Sequence, residues 1–231
     1  MALNIADLFE HAVDVVPERF AIQCGDHKAT YSGIEADANR LAHFLQSRGI
    51  GRGDHVGVYA RNSIEHVVAL LAVFKVRAVP INVNYRYVEG ELDYLFDNAD
   101  IVALLHERRY APQVAACAPR HDRLHTIVSM PDPTEPGPDD ELARLVTSYD
   151  GVAWADALDG QSDSRDFGER SDDDIYIVYT GGTTGYPKGV MWRHVDFWRV
   201  LGGGIDFMTG ESLEEFDQSK QAATNEAMVT F

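Results

Sequence analysis

Nine consecutive residues carry the densest chemistry in the chain: Thr180-Gly181-Gly182-Thr183-Thr184-Gly185-Tyr186-Pro187-Lys188. Three glycines, three threonines and one lysine stand within them. Glycine lets backbone N–H groups approach an anion closely and form a concave nest. Threonine hydroxyls donate to phosphate oxygens, and a lysine ammonium adds a compact positive charge. Together these groups suit a polyphosphate. The spacing is not that of a Walker A loop, which needs Gly-x-x-x-x-Gly-Lys-Ser/Thr at a helix start. Here Lys188 stands between Pro187 and Gly189. The Gly-x-Gly-x-x-Gly spacing of a dinucleotide fingerprint is absent too. From Gly and Thr content alone, the stretch also reads as an ordinary hairpin turn.

The flanking elements must hold that loop in place. Ile175-Tyr176-Ile177-Val178-Tyr179 alternates β-formers and reads as a strand, and a second strand begins at Gly189 and runs to Trp192. Further upstream, Leu3, Ile5, Leu8, Phe9, Ala12 and Val13 recur at helical spacing, ending near Pro17. Phe20–Gln23 and Lys28–Tyr31 read as short strands around a turn. Ser32 and Glu35 form a capping-box pattern for a helix that carries Ile34, Ala38, Leu41, Ala42 and Leu45. From residue 55 to 128 strand and helix patterns alternate. The strands are 55–60, 79–83, 101–105 and 124–128. The helices are one capped by Asn62 or Ser63, one over 89–98 with Leu92, Leu95 and Phe96 inward, and a weaker one over 107–117. This alternation predicts an α/β fold with layered, largely parallel sheets and flanking helices.

The segment 130–140 holds four prolines and four acidic residues and reads as an exposed loop. Trp154 reads as a packing anchor within 152–158, and 161–174 reads as an acidic linker. After the loop, His194–Ile205 carries Phe197, Trp198, Val200 and Leu201, followed by Gly202-Gly203-Gly204. The pattern then fades into a polar, acidic tail.

Bulk properties narrow the function class. The 231 residues are 45% hydrophobic with a formal net charge of −17, enough apolar content for a sizeable core. Such acidity opposes binding to nucleic acid or anionic membranes. Acidic clusters at 163–174 and 211–217 read as solvated surface. Cys24 and Cys117 are far apart without metal-like spacing, which fits a reducing cytoplasm, and no metal-ligand set is apparent. The N-terminus lacks signal-peptide character, and the longest apolar stretches, such as 67–74, are too short to span a bilayer.

Thr180 to Gly189 resembles the phosphate loop of the adenylate-forming enzymes: acyl-CoA synthetases, luciferases and peptide-synthetase adenylation domains. Their pattern is Thr-Ser-Gly-Thr/Ser-Thr-Gly-x-Pro-Lys-Gly, from which this chain departs only at Gly181. The resemblance extends upstream through Ala29-Thr30-Tyr31-Ser32, Ala38 to Ala42, Arg52 to Val56, Asn62 to Glu65, Lys75 to Asn84, Arg86-Tyr87 and Glu91-Leu92. Met191-Trp192-Arg193-His194 is similar to actinobacterial fatty-acyl-CoA synthetases, including relatives acting on branched or steroid-derived acids.

The resemblance implies a two-step reaction. A carboxylate attacks the α-phosphate of Mg-ATP to give an acyl adenylate and pyrophosphate; coenzyme A then displaces AMP to give a thioester. It implies that Thr180, Gly181, Gly182, Thr183, Thr184, Gly185 and Lys188 hold the β- and γ-phosphates through hydroxyls, amides and charge. It further implies ATP, Mg2+ and coenzyme A as cofactors and a carboxylic acid, fatty or otherwise lipophilic, as substrate. His194 has two readings, a structural one and substrate contact. Phe197, Trp198 and Gly202–Gly204 read either as an acyl-tunnel lining or as ordinary packing. The family's adenine segment, Mg-holding glutamate, ribose aspartate, hinge and C-terminal catalytic lysine have no counterpart in 1–231. The expectation is therefore a partial N-terminal adenylation domain without the C-terminal domain. Its catalytic residues would lie beyond residue 231, with little or no activity alone, low stability and a tendency to associate. Two alternatives stand beside the ligase reading. One is a truncated non-catalytic member with weak nucleotide-phosphate binding. The other is an adenylating enzyme that passes its acyl group to a carrier-protein thiol.

Overall fold

The computed structural model describes residues 3–134, 140–180, 186–201 and 210. Nine strands and eight α-helices follow in chain order among these residues. They are α1 (Ile5–Val15), β1 (Phe20–Cys24), β2 (His27–Thr30), α2 (Tyr31–Ser47), β3 (His55–Tyr59) and α3 (Ile64–Lys75), then β4 (Val79–Val83), α4 (Glu89–Asn98), β5 (Ile101–Glu107) and α5 (Ala111–Cys117). The rest are β6 (Thr126–Met130), α6 (Asp140–Ser148), β7 (Val152–Ala153), α7 (Trp154–Leu158), β8 (Ile175–Thr180), β9 (Lys188–Arg193) and α8 (His194–Leu201).

β1 and β2 form a small antiparallel hairpin. The main sheet has the order β7-β6-β5-β3-β4-β8-β9, parallel throughout except for β8–β9. The α/β alternation expected from the sequence is thus the observed architecture. Strands buried on both faces read as apolar runs, and β5 and β6 are buried at almost every position. On one face, α2, α3 and α7 bring Leu41, Leu45, Ala72 and Ala157 onto Val56, Val58, Ala103 and Leu105. On the other, α4, α5 and α6 bring Leu92, Leu95, Val114 and Val146 onto Ile81, Val83, Leu104 and Ile127. Ile101 lies with Leu104 on this second face because the β3–β5 register slips by one residue between Ile101 and Ala103. A third small core joins Ala6 of α1, Phe74 of α3 and Tyr176 of β8.

Several sequence expectations are corrected. Thr30, not Ser32, caps α2, its hydroxyl accepting from the Gly33 amide at 3.1 Å. Glu35 does not reach back; it turns inward to Lys75 (2.9 Å) and Arg165 (2.6 Å), because a buried ammonium needs a counter-charge more than a helix start needs a second cap. Of the two caps the sequence offers for α3, Ser63 is the one used. The end of the proline-rich segment opens α6, a helix the sequence reading did not find.

The largest correction concerns 161–174. It is not a free linker but a strap fastened to α1 and α2, although Asp163, Asp166 and Asp173 keep the solvent exposure the sequence predicts. Arg170 bridges Asp7 (2.8 Å) and Glu10, Arg165 bridges Asp14 (2.6 Å) and Glu35, and Asp163 meets Arg40 (3.0 Å). Asp174 accepts from Arg77 (2.7 Å) and from the Asn4 amide (3.1 Å). Beneath it Lys75, only 1% exposed, lies between Glu10 and Glu35.

Candidate functional site

β8 lies parallel to β4, with Ile81 opposite Ile177, so its last residues reach the carboxyl edge of the sheet. In open α/β sheets that edge is where ligands bind. The chain then returns as β9 in antiparallel register, with Tyr179 opposite Gly189 and Thr180 opposite Lys188. The hairpin is therefore closed at its mouth by two of the candidate residues. Thr180 and Lys188 are both exposed, and the Lys188 ammonium has no partner among the described residues. Gly181, Gly182, Thr183, Thr184 and Gly185 lie outside the described residues.

Gly189 has a packing reason to be glycine. A Cβ there would stand 2.9 Å from Ile177 Cγ2 and 3.1 Å from the Tyr179 ring. The bare backbone lets Tyr179 lie across the pair, and its hydroxyl donates to Asn98 Oδ1 at 2.8 Å. Burial first, then the neighbouring Tyr94 and Asp100, pushes the Tyr179 phenol above its ordinary pKa, so it remains a donor.

α4 supports the same hairpin from its other side. The Tyr94 ring stacks on Tyr186 at 4.5 Å between centroids and 22° between planes. Its hydroxyl donates to the Pro187 carbonyl at 3.3 Å. Tyr94 and Asn98, four residues apart, share one helix face. The sequence reading used Leu92, Leu95 and Phe96 of this helix and passed over Tyr94 and Asn98. An aromatic and an amide one turn apart on the polar side of an amphipathic helix were the only signal available.

The contacts of His194 are those of its structural reading. It is 1% exposed, its Nδ1 accepts from the Ile5 amide at 3.2 Å, and its ring meets Phe74 edge-on at 4.6 Å. Burial drives its pKa down to about 4, only partly offset by Asp174, so the ring is neutral. It joins the N-terminal helix to the segment after the hairpin. Phe197, half-buried, packs edge-on against Tyr176 (5.2 Å) and Trp192 (6.3 Å) at the edge of the third core. Gly202–Gly204 and the acidic cluster 211–217 lie outside the described residues.

A second polar cluster sits at the carboxyl ends of β3 and β5. Arg61 Nε donates to Glu107 Oε1 at 3.0 Å and its Nη2 to Asp132 at 2.7 Å, while Arg109 lies 3.2 Å from Asp132. Here two carboxylates neutralise two guanidinium groups, which leaves no net charge to attract an anion. Among the described residues, no group of three His, Cys, Asp or Glu could hold a metal ion. No described helix is long and apolar enough to cross a membrane.

Comparison with known proteins agrees with this geometry. A family model described as AMP-binding enzyme matches residues 9–212. A 3-oxocholest-4-en-26-oate–CoA ligase of Rhodococcus rhodochrous is 54% identical over all of this chain, which spans 40% of that relative's length. A medium/long-chain-fatty-acid–CoA/3-oxocholest-4-en-26-oate–CoA ligase of Mycobacterium tuberculosis is 53% identical, again over the whole chain and 41% of the relative. Among solved structures, an anthranilate CoA ligase with anthranoyl-AMP superposes with a TM-score of 0.76 at 21% identity, covering 87% of this chain and 37% of that one. A fatty acyl CoA synthetase of Mycobacterium tuberculosis gives 0.64 at 24% identity, over 83% and 35%. These two likenesses bear on the fold: the parallel sheet with its flanking helices is that of adenylate-forming enzymes. With the family model covering most of its length, the chain belongs to the AMP-binding enzyme family.

Proposed function

We propose that this chain supplies the phosphate-binding part of an ATP-dependent acyl-CoA ligase acting on a medium- or long-chain fatty acid or a steroid-derived acid. One observation carries the reading. The hairpin at the carboxyl edge of the sheet presents Thr180 beside a Lys188 that has no partner among the described residues, while every other cationic cluster described above is matched by carboxylates. The donor set fits a polyphosphate: hydroxyls, backbone amides and one ammonium, with no carboxylate to repel it. The acid class follows from relatives 53–54% identical over the whole chain. The choice of coenzyme A over a carrier-protein thiol follows from the same relatives; a linear gramicidin synthase subunit is only 26% identical.

In this reading Thr180, Thr183, Thr184, Lys188 and the amides of Gly181, Gly182 and Gly185 hold the β- and γ-phosphates. A carboxylate oxygen attacks the α-phosphorus, and the bond to the bridging oxygen breaks, so pyrophosphate leaves with the electron pair. Charge builds on that leaving group, and the hairpin stabilises it electrostatically. Holding the triphosphate also fixes the line of attack. Mg2+ would arrive with ATP and screen phosphate charge. The thiol of coenzyme A then attacks the acyl carbon and expels AMP. The two unbridged cysteines and the acidic surface favour a cytoplasmic setting.

The test is ATP–pyrophosphate exchange by the protein isolated from its source, with fatty and steroid acids offered singly. Exchange that depends on one of these acids, and thioester formation with coenzyme A but not with a phosphopantetheinyl carrier, is expected. Exchange only with amino or aryl acids, or transfer only to a carrier, would refute the reading.

A further inference from the structure

α4 is held on three sides. Leu92, Leu95 and Phe96 face the sheet core. Glu89, Asp93 and Asp97, spaced four apart, face Arg120 and His121: Glu89 meets Arg120 at 2.9 Å, and the two ring nitrogens of His121 lie 2.9 Å from Asp93 and 3.0 Å from Asp97. Arg120 also pairs with Asp93. The remaining stripe, Tyr94 and Asn98, meets both arms of the hairpin. The helix is thereby a fixed post, and its two polar side chains grip the entering strand at Tyr179 and the returning chain at Tyr186 and Pro187.

The grip on the returning arm adjoins Lys188. Tyr186 is 66% exposed, so little apart from the stacked Tyr94 ring covers it. The Pro187 carbonyl, one peptide before Lys188, is fixed by the Tyr94 hydroxyl. A proline cannot donate a ladder bond of its own, so this carbonyl contact adds to the Thr180–Lys188 pairing in holding the backbone at that point. A mispositioned charge loses interaction steeply, and a shift of about 1 Å can cost on the order of a hundredfold in a reaction that depends on alignment.

We propose that Tyr94 is a positioning residue for nucleotide use: through Tyr186 and Pro187 it sets where Lys188 stands, and so sets the affinity for ATP rather than for the acid. The proposal rests on the reading of the hairpin as the phosphate site. Tyr94 acts through other residues and touches no reacting atom.

Three variants of the protein test it: Tyr94→Ala, Tyr94→Phe and Lys188→Ala. Backbone hydrogen exchange at Lys188–Val190 is measured first, without ligand, and MgATP binding second. Y94A is expected to speed exchange at the returning arm by about tenfold or more, to leave β5 and β6 unchanged, and to weaken MgATP binding by about tenfold. Y94F keeps the stacked ring and loses only the bond to the Pro187 carbonyl, so about a threefold loss of affinity is expected, with the KM for ATP raised and that for the acid unmoved. Unchanged exchange in Y94A would overturn the proposal whatever happens to nucleotide. Faster exchange with unchanged MgATP affinity would overturn it also, because the contact would then be structural only. If wild type and K188A bind MgATP alike, the phosphate-site reading fails and takes this proposal with it; a loss in K188A with none in Y94A sinks Tyr94 alone.

Discussion

The strap 161–174 and the hairpin that follows it are both polar, both charged, and adjacent in sequence, yet they use charge in opposite ways. The strap matches its charges within its own chain: Arg165, Arg170 and Asp174 each find partners on α1, α2 or just past the end of α3. The hairpin is gripped near its mouth by uncharged side-chain contacts, two tyrosine hydroxyls and a ring stack, with its charged pairs to Asp173 and Asp196 at Arg193, the far end of β9, and Lys188 is left unmatched among the described residues. In the proposed reading a structural charge is neutralised by its own chain, and the charge that meets a ligand is kept open and placed by neutral groups. Stability should therefore reside in the strap and ligand affinity in the hairpin.

The strongest way to break that contrast is Lys75→Ala. It leaves Glu10 and Glu35 facing each other in the interior without their shared cation. Removing one partner of a buried ionic cluster costs about 3–5 kcal/mol. Urea denaturation should show a loss of that size, and a loss under about 1 kcal/mol would mean that Arg165 and Arg170 carry the carboxylates alone.

Acid should sharpen the contrast next. His194 and His106, both fully buried, have pKa values pushed down to about 4 by burial, from an ordinary value of 6.5. Burial lowers His66 in the same direction. The unfolded chain therefore takes up these protons at a higher pH than the folded chain. The contribution of His194 and His106 is complete above pH 6.5 and is lost as pH falls from 6.5 toward 4. Each of the first two is worth about 3 kcal/mol at one pH unit per 1.36 kcal/mol. Thermal melts across that window should fall steadily, and His194→Phe should flatten the slope. A slope identical to wild type would mean that His194 does not titrate with folding.

A smaller effect is expected at Gly189→Ala. The added methyl collides with Ile177 and Tyr179 and loosens the bond to Asn98, at a cost of about 1–3 kcal/mol. Unlike the strap variant, it should lower nucleotide affinity together with stability. The weakest effect belongs to Arg40→Ala, which breaks an exposed pair with Asp163 and should cost about 0–1 kcal/mol by calorimetry.

Much of this was legible in the sequence because the controlling interactions are local. The bounds of α4 follow from Leu92, Leu95 and Phe96 at helical spacing, and the β8–β9 pair follows from alternation on either side of a Gly/Thr run. Thr180 and Lys188 were named from side-chain chemistry, and the structure brings them opposite each other. The illegible parts depend on distant partners. Arg170 meets Asp7 across 163 positions and Tyr94 reaches Pro187 across 93, separations at which no periodicity speaks. Local rules also compete. Ser32 and Glu35 satisfied the capping pattern, but Thr30 stood closer to the strand exit and the buried Lys75 claimed Glu35.

The account turns on Lys188 being reserved for a polyphosphate. The direct measurement is equilibrium binding of MgATP to wild type and Lys188→Ala by phosphorus NMR, with a thermal melt of each. Loss of one charge-assisted contact predicts affinity lower by about ten- to a hundredfold at an unchanged melting temperature. Equal affinity in the two proteins, or a K188A protein that melts early and binds normally, would show Lys188 to be a structural charge and contradict the account.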